Sequence, residues 1–500
     1  MLSKNNDRWD KCRVELALLI LAALIVVLLN IFRLSYNLIW VDEGFSILAA
    51  TSPSFDSLLE KVAEDRIASP FFYNVSLYLF TALFGHNVFV YQLFSFIPLV
   101  LMLVVSITHV RKEFGFYVTI TFMILCSFLF TSIVYMFEIR TYEWAAFFVM
   151  VSFLYLYKIL NEPSKKNYAI FLIFSLLSAY SHYYACMAIG LVYMSLFVYS
   201  MVLNKGERKN VVITSVLFAV CYAPWMMYCV LGMINWVGNM WINFIPTLGD
   251  CLTILFANKF GLILCIVMLM CFALIIRDNV ELNVQSKMIK ISPVGVWLII
   301  GATAVFGSIA LAQIVCRFVH PVMTLRYLYP ASVIAWFLFS YCVCNWIKDI
   351  KIRKIWSIAV IVLLLLITVP QSVQINTLEN GWNNEVQSSI ETMRCISNDD
   401  IVLTDEYWVT NSYFQTYFPD VTLIHFSRSD VPTLEEDRHY YVMINGLMSQ
   451  TTVEEQLLEQ GYGVKTVKEY MLLGAGYRHQ AEVGDLLTQY YALYEIYPII

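Results

Sequence analysis

Asp42 and Glu43 stand side by side in WVDEGFSILAA (residues 40–50), a few residues past a long apolar run. A carboxylate held at the edge of a bilayer can serve as general base toward an acceptor hydroxyl. Other polar residues recur where apolar runs end. They are Glu138, Arg140 and Tyr142 in FEIRTYEW, His182 and Tyr183 in SHYYA, Arg317 and His320, and Arg326 and Tyr327 in RYLYP. Arginines stabilise a departing phosphate through bidentate hydrogen bonds and charge. A phosphate at headgroup level is already a good leaving group and needs no general acid. Singly, each residue has a structural explanation, such as a water-facing loop acid, an ion pair, a hairpin histidine or an interfacial Arg-Tyr anchor. Ionisable groups at membrane depth are costly and face a cavity or one another. Acids, two arginines and a histidine converging on one face therefore point to a site.

These residues are far apart in sequence, so the intervening elements must gather them. Of 500 residues, 60% are hydrophobic and 14% charged, against roughly 25% charged in soluble chains. This is a chain built for lipid. Its net charge of −5 argues against a nucleic-acid partner, which would require a basic patch. Most of the twelve cysteines sit inside apolar runs, where Cys behaves as a small hydrophobe. Neither disulfides nor a zinc site are expected. Residues 14–32 follow a basic N-terminus but are longer than a signal core, so they read as an uncleaved first span.

Apolar stretches of spanning length lie near 14–32, 90–110, 116–135, 143–160, 168–181, 184–203, 211–230, 252–276, 294–316, 327–347 and 355–374, about eleven in all. Residues 70–84 would reach only ~22 Å as a helix, against ~30 Å of hydrocarbon. With that segment kept on the surface, alternate connections carry about 19 Lys and Arg, and the opposite ones about six. The positive-inside rule then puts the N-terminus in the cytoplasm. The first outer loop runs over 33–89 with two surface helices. FDSLLEKVAEDR (55–66) has apolar residues at helical spacing and Ser54 as N-cap. Beyond 375 the pattern strand, helix, strand occurs twice, predicting a small α/β domain (375–500) with a largely parallel sheet. It lies outside the cytoplasm and follows a membrane domain (1–374). No internal repeat or low-complexity tract is present.

The order of VDEGFS, SPFFYNVSLYLFTALFG, FEIRTYEW, SHYYA and RYLYP resembles the GT-C membrane glycosyltransferases of family 39. These are relatives of protein O-mannosyltransferases and of the lipid A aminoarabinose transferase. The resemblance implies an all-α polytopic membrane protein of GT-C fold with a small C-terminal extracytoplasmic α/β domain. It implies transfer of a sugar, with inversion, from a polyprenyl-phosphate donor to a cell-envelope lipid, glycan or protein acceptor in the plasma or inner membrane. Carried over by residue, Asp42 is the base, and Glu43 orients the acceptor or Asp42. Arg140, with Glu138 and Tyr142, and Arg326, with Tyr327, bind donor phosphate or shape the site. His182 and Tyr183 line the same cavity. Two departures bear on the phosphate contacts. Ala68-Ser69-Pro70 stands where relatives often have His-Pro-Pro, and Gln92 where many have Arg; Arg66, Lys259 or Arg317 could compensate. No cofactor is expected. Adjacent acids can share a cation in a loop but point about 100° apart in a helix; the resemblance, in which several relatives are metal-independent, does not favour a divalent metal. The rival readings are a lipid-linked sugar transporter or flippase, with charges at mid-membrane in two matched halves, and a surface-glycan polymerase or ligase.

Overall fold

The computed structural model describes residues 2–64, 71–236, 245–256, 260–283, 288–427, 430–435, 437–446, 450–473 and 490–499. Arg66, Ala68-Ser69-Pro70 and Lys259 lie outside the described residues. Helix α1 (Leu2–Asn30) leads through a 3-10 turn to three short helices, α2 (Val41–Ala50), α3 (Phe55–Glu64) and α4 (Phe71–Phe84). Next come α5 (Val88–Val105), which continues through a π turn into α6 (Arg111–Phe114), then α7 (Phe116–Phe128), α8 (Phe130–Tyr135) and α9 (Tyr142–Asn161). The membrane part is completed by α10 (Lys165–Ser181), α11 (Tyr183–Val202), α12 (Arg208–Trp236), α13 (Leu248–Ile254), α14 (Gly261–Asn279), α15 (Pro293–Phe318), α16 (Tyr329–Asn345) and α17 (Ile350–Met393). A hairpin of β1 (Val280–Asn283) and β2 (Met288–Ile291) joins α14 to α15, the one departure from an all-α membrane part among the described residues.

Among the described residues, nine helices are long and apolar enough to cross a membrane. Two further segments travel the same depth. Just before α7, Phe114 packs on Tyr157, Trp297 and Tyr341, at one end of α9, α15 and α16. The end of α8, Tyr135, packs on Tyr142 and Tyr329, at the opposite ends of α9 and α16. Likewise α10 starts just after α9 ends, and its C-cap His182 meets Tyr142 at the start of α9. Of the eleven crossings expected from hydropathy, nine are helices of spanning length among the described residues, and α7–α8 and α10 run alongside them. The chain is a polytopic membrane protein.

Between the first two crossings the chain stays on one side, hereafter the site face. There α3 buries Leu58 and Val62 and leaves Phe55 and Leu59 exposed. Ser54 Oγ accepts the Ser57 N–H as its cap. Helix α4 has 14 residues, about 21 Å long at 1.5 Å per residue and too short to span. It buries Tyr73, Asn74, Leu77 and Thr81 and ends at Gly85, whose φ of +93° is a conformation that glycine adopts without strain.

The last helix changes the expected domain plan. With 44 residues, α17 is about 66 Å long, so it rises well clear of the bilayer. A division at residue 374 falls inside it. The C-terminal domain follows with β3 (Ile401–Thr404), α18 (Trp408–Tyr417), β4 (Thr422–His425), β5 (Tyr440–Asn445), α19 (Gln450–Glu459), β6 (Tyr462–Leu472) and β7 (Tyr490–Pro498). The sheet order is β4-β3-β5-β7-β6. Strand β3 is parallel to β4 and β5, whereas β7 is antiparallel to β5 and β6. Four strands run one way, as the two strand-helix-strand units demand. The expectation of a largely parallel sheet is corrected by β7, which inserts in reverse and makes half of the pairings antiparallel. One hydrophobic core joins this domain to the site face, with Leu38, Ile39, Trp40 and Ile47 against Val386, Ile390, Val409 and Tyr413. No disulfide joins any of the twelve cysteines.

Candidate active site

Asp42 occupies the first turn of α2, where a carboxylate complements the helix dipole. The N-cap is Trp40, a residue with no capping oxygen, so Glu43 at N3 reaches back and accepts the Trp40 N–H at 2.9 Å. The other Glu43 oxygen accepts the Ile139 N–H at 2.8 Å, and the residue is fully buried. Glu43 therefore fixes α2 against the loop between α8 and α9. Its neighbour does something different. Asp42 Oδ2 pairs with Arg326 Nη2 at 3.0 Å, its side chain is 21% exposed, and Arg326 is 2% exposed. Among the described residues no hydrogen-bond donor meets Asp42 Oδ1. One carboxylate oxygen is held, and the side chain as a whole stays partly exposed.

The loop 136–141 supplies the next groups. A tight turn, with Arg140 N–H donating to Glu138 O at 2.6 Å, aims both side chains at α2. Glu138 accepts from Trp40 Nε1 at 3.2 Å. Arg140 Nη1 donates to the Asp42 carbonyl at 3.0 Å and to Ser46 Oγ at 3.4 Å. Thr141 Oγ1 donates to Ser181 O at 2.9 Å, tying this loop to the end of α10. Arg326, in a 3-10 turn ahead of α16, lies 4.9 Å from the Trp40 ring and 5.7 Å from Tyr327, within cation–π range. His182 packs on Tyr142 at 5.4 Å and Tyr327 at 5.5 Å. Its Nδ1 accepts the Tyr184 N–H at 3.2 Å as the cap of α11. Burial, reinforced by Arg140 and Arg326, pushes the His182 pKa down to about 3. The ring is neutral at physiological pH and cannot act there as a proton donor through its charged form.

Asp42, Glu43, Glu138, Arg140, Tyr142, His182, Arg326 and Tyr327 thus meet in one cluster, drawn from four separate stretches of chain. Tyr183 points elsewhere, donating to Cys229 Sγ at 3.3 Å. Tyr184 takes the place expected for it, 5.3 Å from Tyr327. Arg317 is exposed on the last turn of α15, and His320 Nδ1 lies 3.0 Å from Pro321 O. Gln92 is fully buried and donates to Tyr36 O at 2.9 Å, a backbone support rather than a phosphate contact. Sequence reasoning assigned no role to Trp40, Ser46 or Glu143. Trp40 and Ser46 flank the acid pair within WVDEGFS, and an aromatic beside two acids was a usable signal. Glu143 is fully buried and accepts from Tyr329 OH at 2.5 Å. Among the described residues no group of three or more His, Cys, Asp or Glu side chains is arranged to hold a metal ion.

Beside this cluster lies an apolar cavity of about 850 Å³. It is bounded by α3, α4, α10 and α12, with Phe71, Phe72, Val75, Leu177, Tyr180 and Trp225 among its walls. Tyr180, which packs on Phe71 and Trp225 within it, precedes His182 by two residues.

The same architecture occurs in a solved structure, the apo crystal structure of ArnT from Cupriavidus metallidurans. The two chains align over 95% of this chain and 97% of that one, with a TM-score of 0.53 and 11% identity. The fold is similar to that of ArnT. The GT-C architecture expected from the motif order is therefore present, membrane domain and C-terminal domain together. No family model matches the sequence, and no curated protein matches it.

Proposed function

We propose that the chain is an integral-membrane glycosyltransferase that moves a sugar from a polyprenyl-phosphate donor to an acceptor hydroxyl. The observation that carries this reading is the divided Asp42 carboxylate. One oxygen is anchored by Arg326, no donor among the described residues meets the other, and Arg140 holds the Asp42 main-chain carbonyl. In the reaction, the acceptor oxygen attacks C1 of the sugar as Asp42 Oδ1 takes the hydroxyl proton. The C1–O bond to phosphate breaks with its electrons on oxygen, giving inversion and a free lipid phosphate. Arg140 and Arg326 supply positive charge where that phosphate forms. Glu43 and Glu138 position α2 and Trp40; Tyr142, His182 and Tyr327 wall the site. No metal or other cofactor is invoked. The Lys/Arg bias of the opposite connections supports an extracytoplasmic site face and a cytoplasmic N-terminus in the plasma or inner membrane. Acceptors on that side are cell-envelope lipids, glycans or proteins. A transporter would gather its charges at mid-membrane; here they gather at one face.

The adjoining cavity, within the ~300–1,000 Å³ usual for ligand sites, would take the isoprenoid chain. Leu177→Trp would fill it and raise KM about tenfold for a long-chain donor, leaving a water-soluble short-chain donor unaffected. An equal change for both donors would remove the cavity from the reading.

The reading itself is tested with purified protein and a panel of labelled polyprenyl-phosphate sugars. The expected result is release of free lipid phosphate from at least one donor. Movement of an intact lipid-linked sugar across vesicles, with no release from any donor, would favour a transporter.

A further inference from the structure

The segment that delivers Asp42 to its place is held from the C-terminal domain. Residues 36–40 are extended chain between the 3-10 turn after α1 and the start of α2, so their backbone groups need partners from elsewhere. Tyr413 of α18 supplies two. Its hydroxyl donates to Asn37 O at 2.6 Å and accepts the Ile39 N–H at 3.3 Å, bridging both residues much as a neighbouring strand would. Tyr413 is fully buried. Tyr417, one turn on, donates to the Asn37 side chain. Asn383, near the end of α17, accepts the Asn37 N–H at 2.7 Å. At the far end of α2, Thr51 Oγ1 donates to Gln415 Oε1 at 2.6 Å. In turn α18 is anchored by Glu406, which accepts the Val409 and Thr410 N–H groups at 2.9 Å.

We infer that α18 is a clamp that sets the position of Asp42 from outside the membrane, with Tyr413 as its positioning residue. Both ends of α2 are gripped by one helix of the C-terminal domain, while Glu43 and Arg140 grip it from the membrane side. As a statement about catalysis, the inference rests on Asp42 being the base. A small displacement of a base from its proton is costly, since ~1 Å can change a rate about 100-fold.

The test uses Tyr413→Phe, which keeps the ring and removes the bridging hydroxyl. Two readouts are taken on the full-length protein: hydrogen–deuterium exchange of the peptide over residues 36–43, and kcat with KM for the lipid-phosphate donor. Exchange is expected to quicken about fivefold or more. The expected kinetic change is a kcat about tenfold lower with donor KM within twofold. Should that variant fold poorly, Tyr417→Phe reads the same quantities at smaller amplitude. Unchanged exchange would overturn the clamp. Faster exchange with unchanged kcat would overturn its positioning of Asp42. If the wild type transfers no sugar while exchange still quickens, the contact is upheld and the glycosyltransferase reading is what fails.

Discussion

Asp42→Asn is expected to leave an inserted, folded protein that transfers sugar about 10²–10⁴-fold more slowly, the usual contribution of a positioned general base. Asparagine has nearly the shape of aspartate, and its amide oxygen can still accept from Arg326, so the site is kept while the base is lost. The cost in stability is below the ~3–5 kcal/mol of breaking a fully buried pair, because Asp42 is 21% exposed and water screens its side of the pair. Glu43→Gln should behave differently. Glu43 accepts two backbone N–H groups with separate oxygens, and a glutamine presents only one acceptor. The expected loss is in melting temperature first, with any fall in kcat following from a displaced α2. Measuring kcat and melting temperature for both variants separates a proton acceptor from a positioning group. Transfer at the wild-type rate by Asp42→Asn would remove Asp42 as the base.

The contrast between those two acids shows what could be read from the sequence. Their adjacency, and their place after the first span, were plain in WVDEGFS. Which of them meets Arg326 and which is buried against the backbone was not, because successive helical residues point about 100° apart and one residue of phase exchanges their roles. The same ambiguity separates Tyr183 from Tyr184. Hydropathy and the distribution of basic residues gave the spans and the surface position of α3 and α4, since both depend on local composition. Strand β7 escaped because an isolated run such as YYALYEIYP carries no direction or neighbour. The length of α17 escaped because the helix keeps its geometry after its apolar stretch ends. Contacts across hundreds of residues were the least visible. Asn37 shows no local sign that Tyr413 and Asn383 will satisfy its backbone.

Arg33 and Glu379 are the most consequential of those distant pairs. Loop position made Arg33 look like one of a few basic residues on the site face. In the fold it is buried with Glu379 of α17, each 1% exposed, and the two form a salt bridge. Arg33 Nη1 also donates to Ile133 O at 3.0 Å, and the guanidinium lies 4.5 Å from the Phe137 ring, next to Glu138. One side chain thus ties the end of α1, the crossing through α8, the Glu138 loop and the helix that carries the C-terminal domain. Arg33→Met would leave Glu379 buried without its cation, a change that costs about 3–5 kcal/mol. That is a large share of the ~5–15 kcal/mol by which native proteins are stable. The expected result is a strongly lowered melting temperature and folded yield in detergent. Adding Glu379→Met should recover most of the loss, because replacing both partners of a buried pair with apolar groups is close to neutral. Activity per folded molecule should stay depressed even in the double variant, since the hold on Phe137 and the Glu138 loop is gone. A double variant as unstable as Arg33→Met would mean that the bonds to Ile133 and Phe137, not the charge pair, carry the stability.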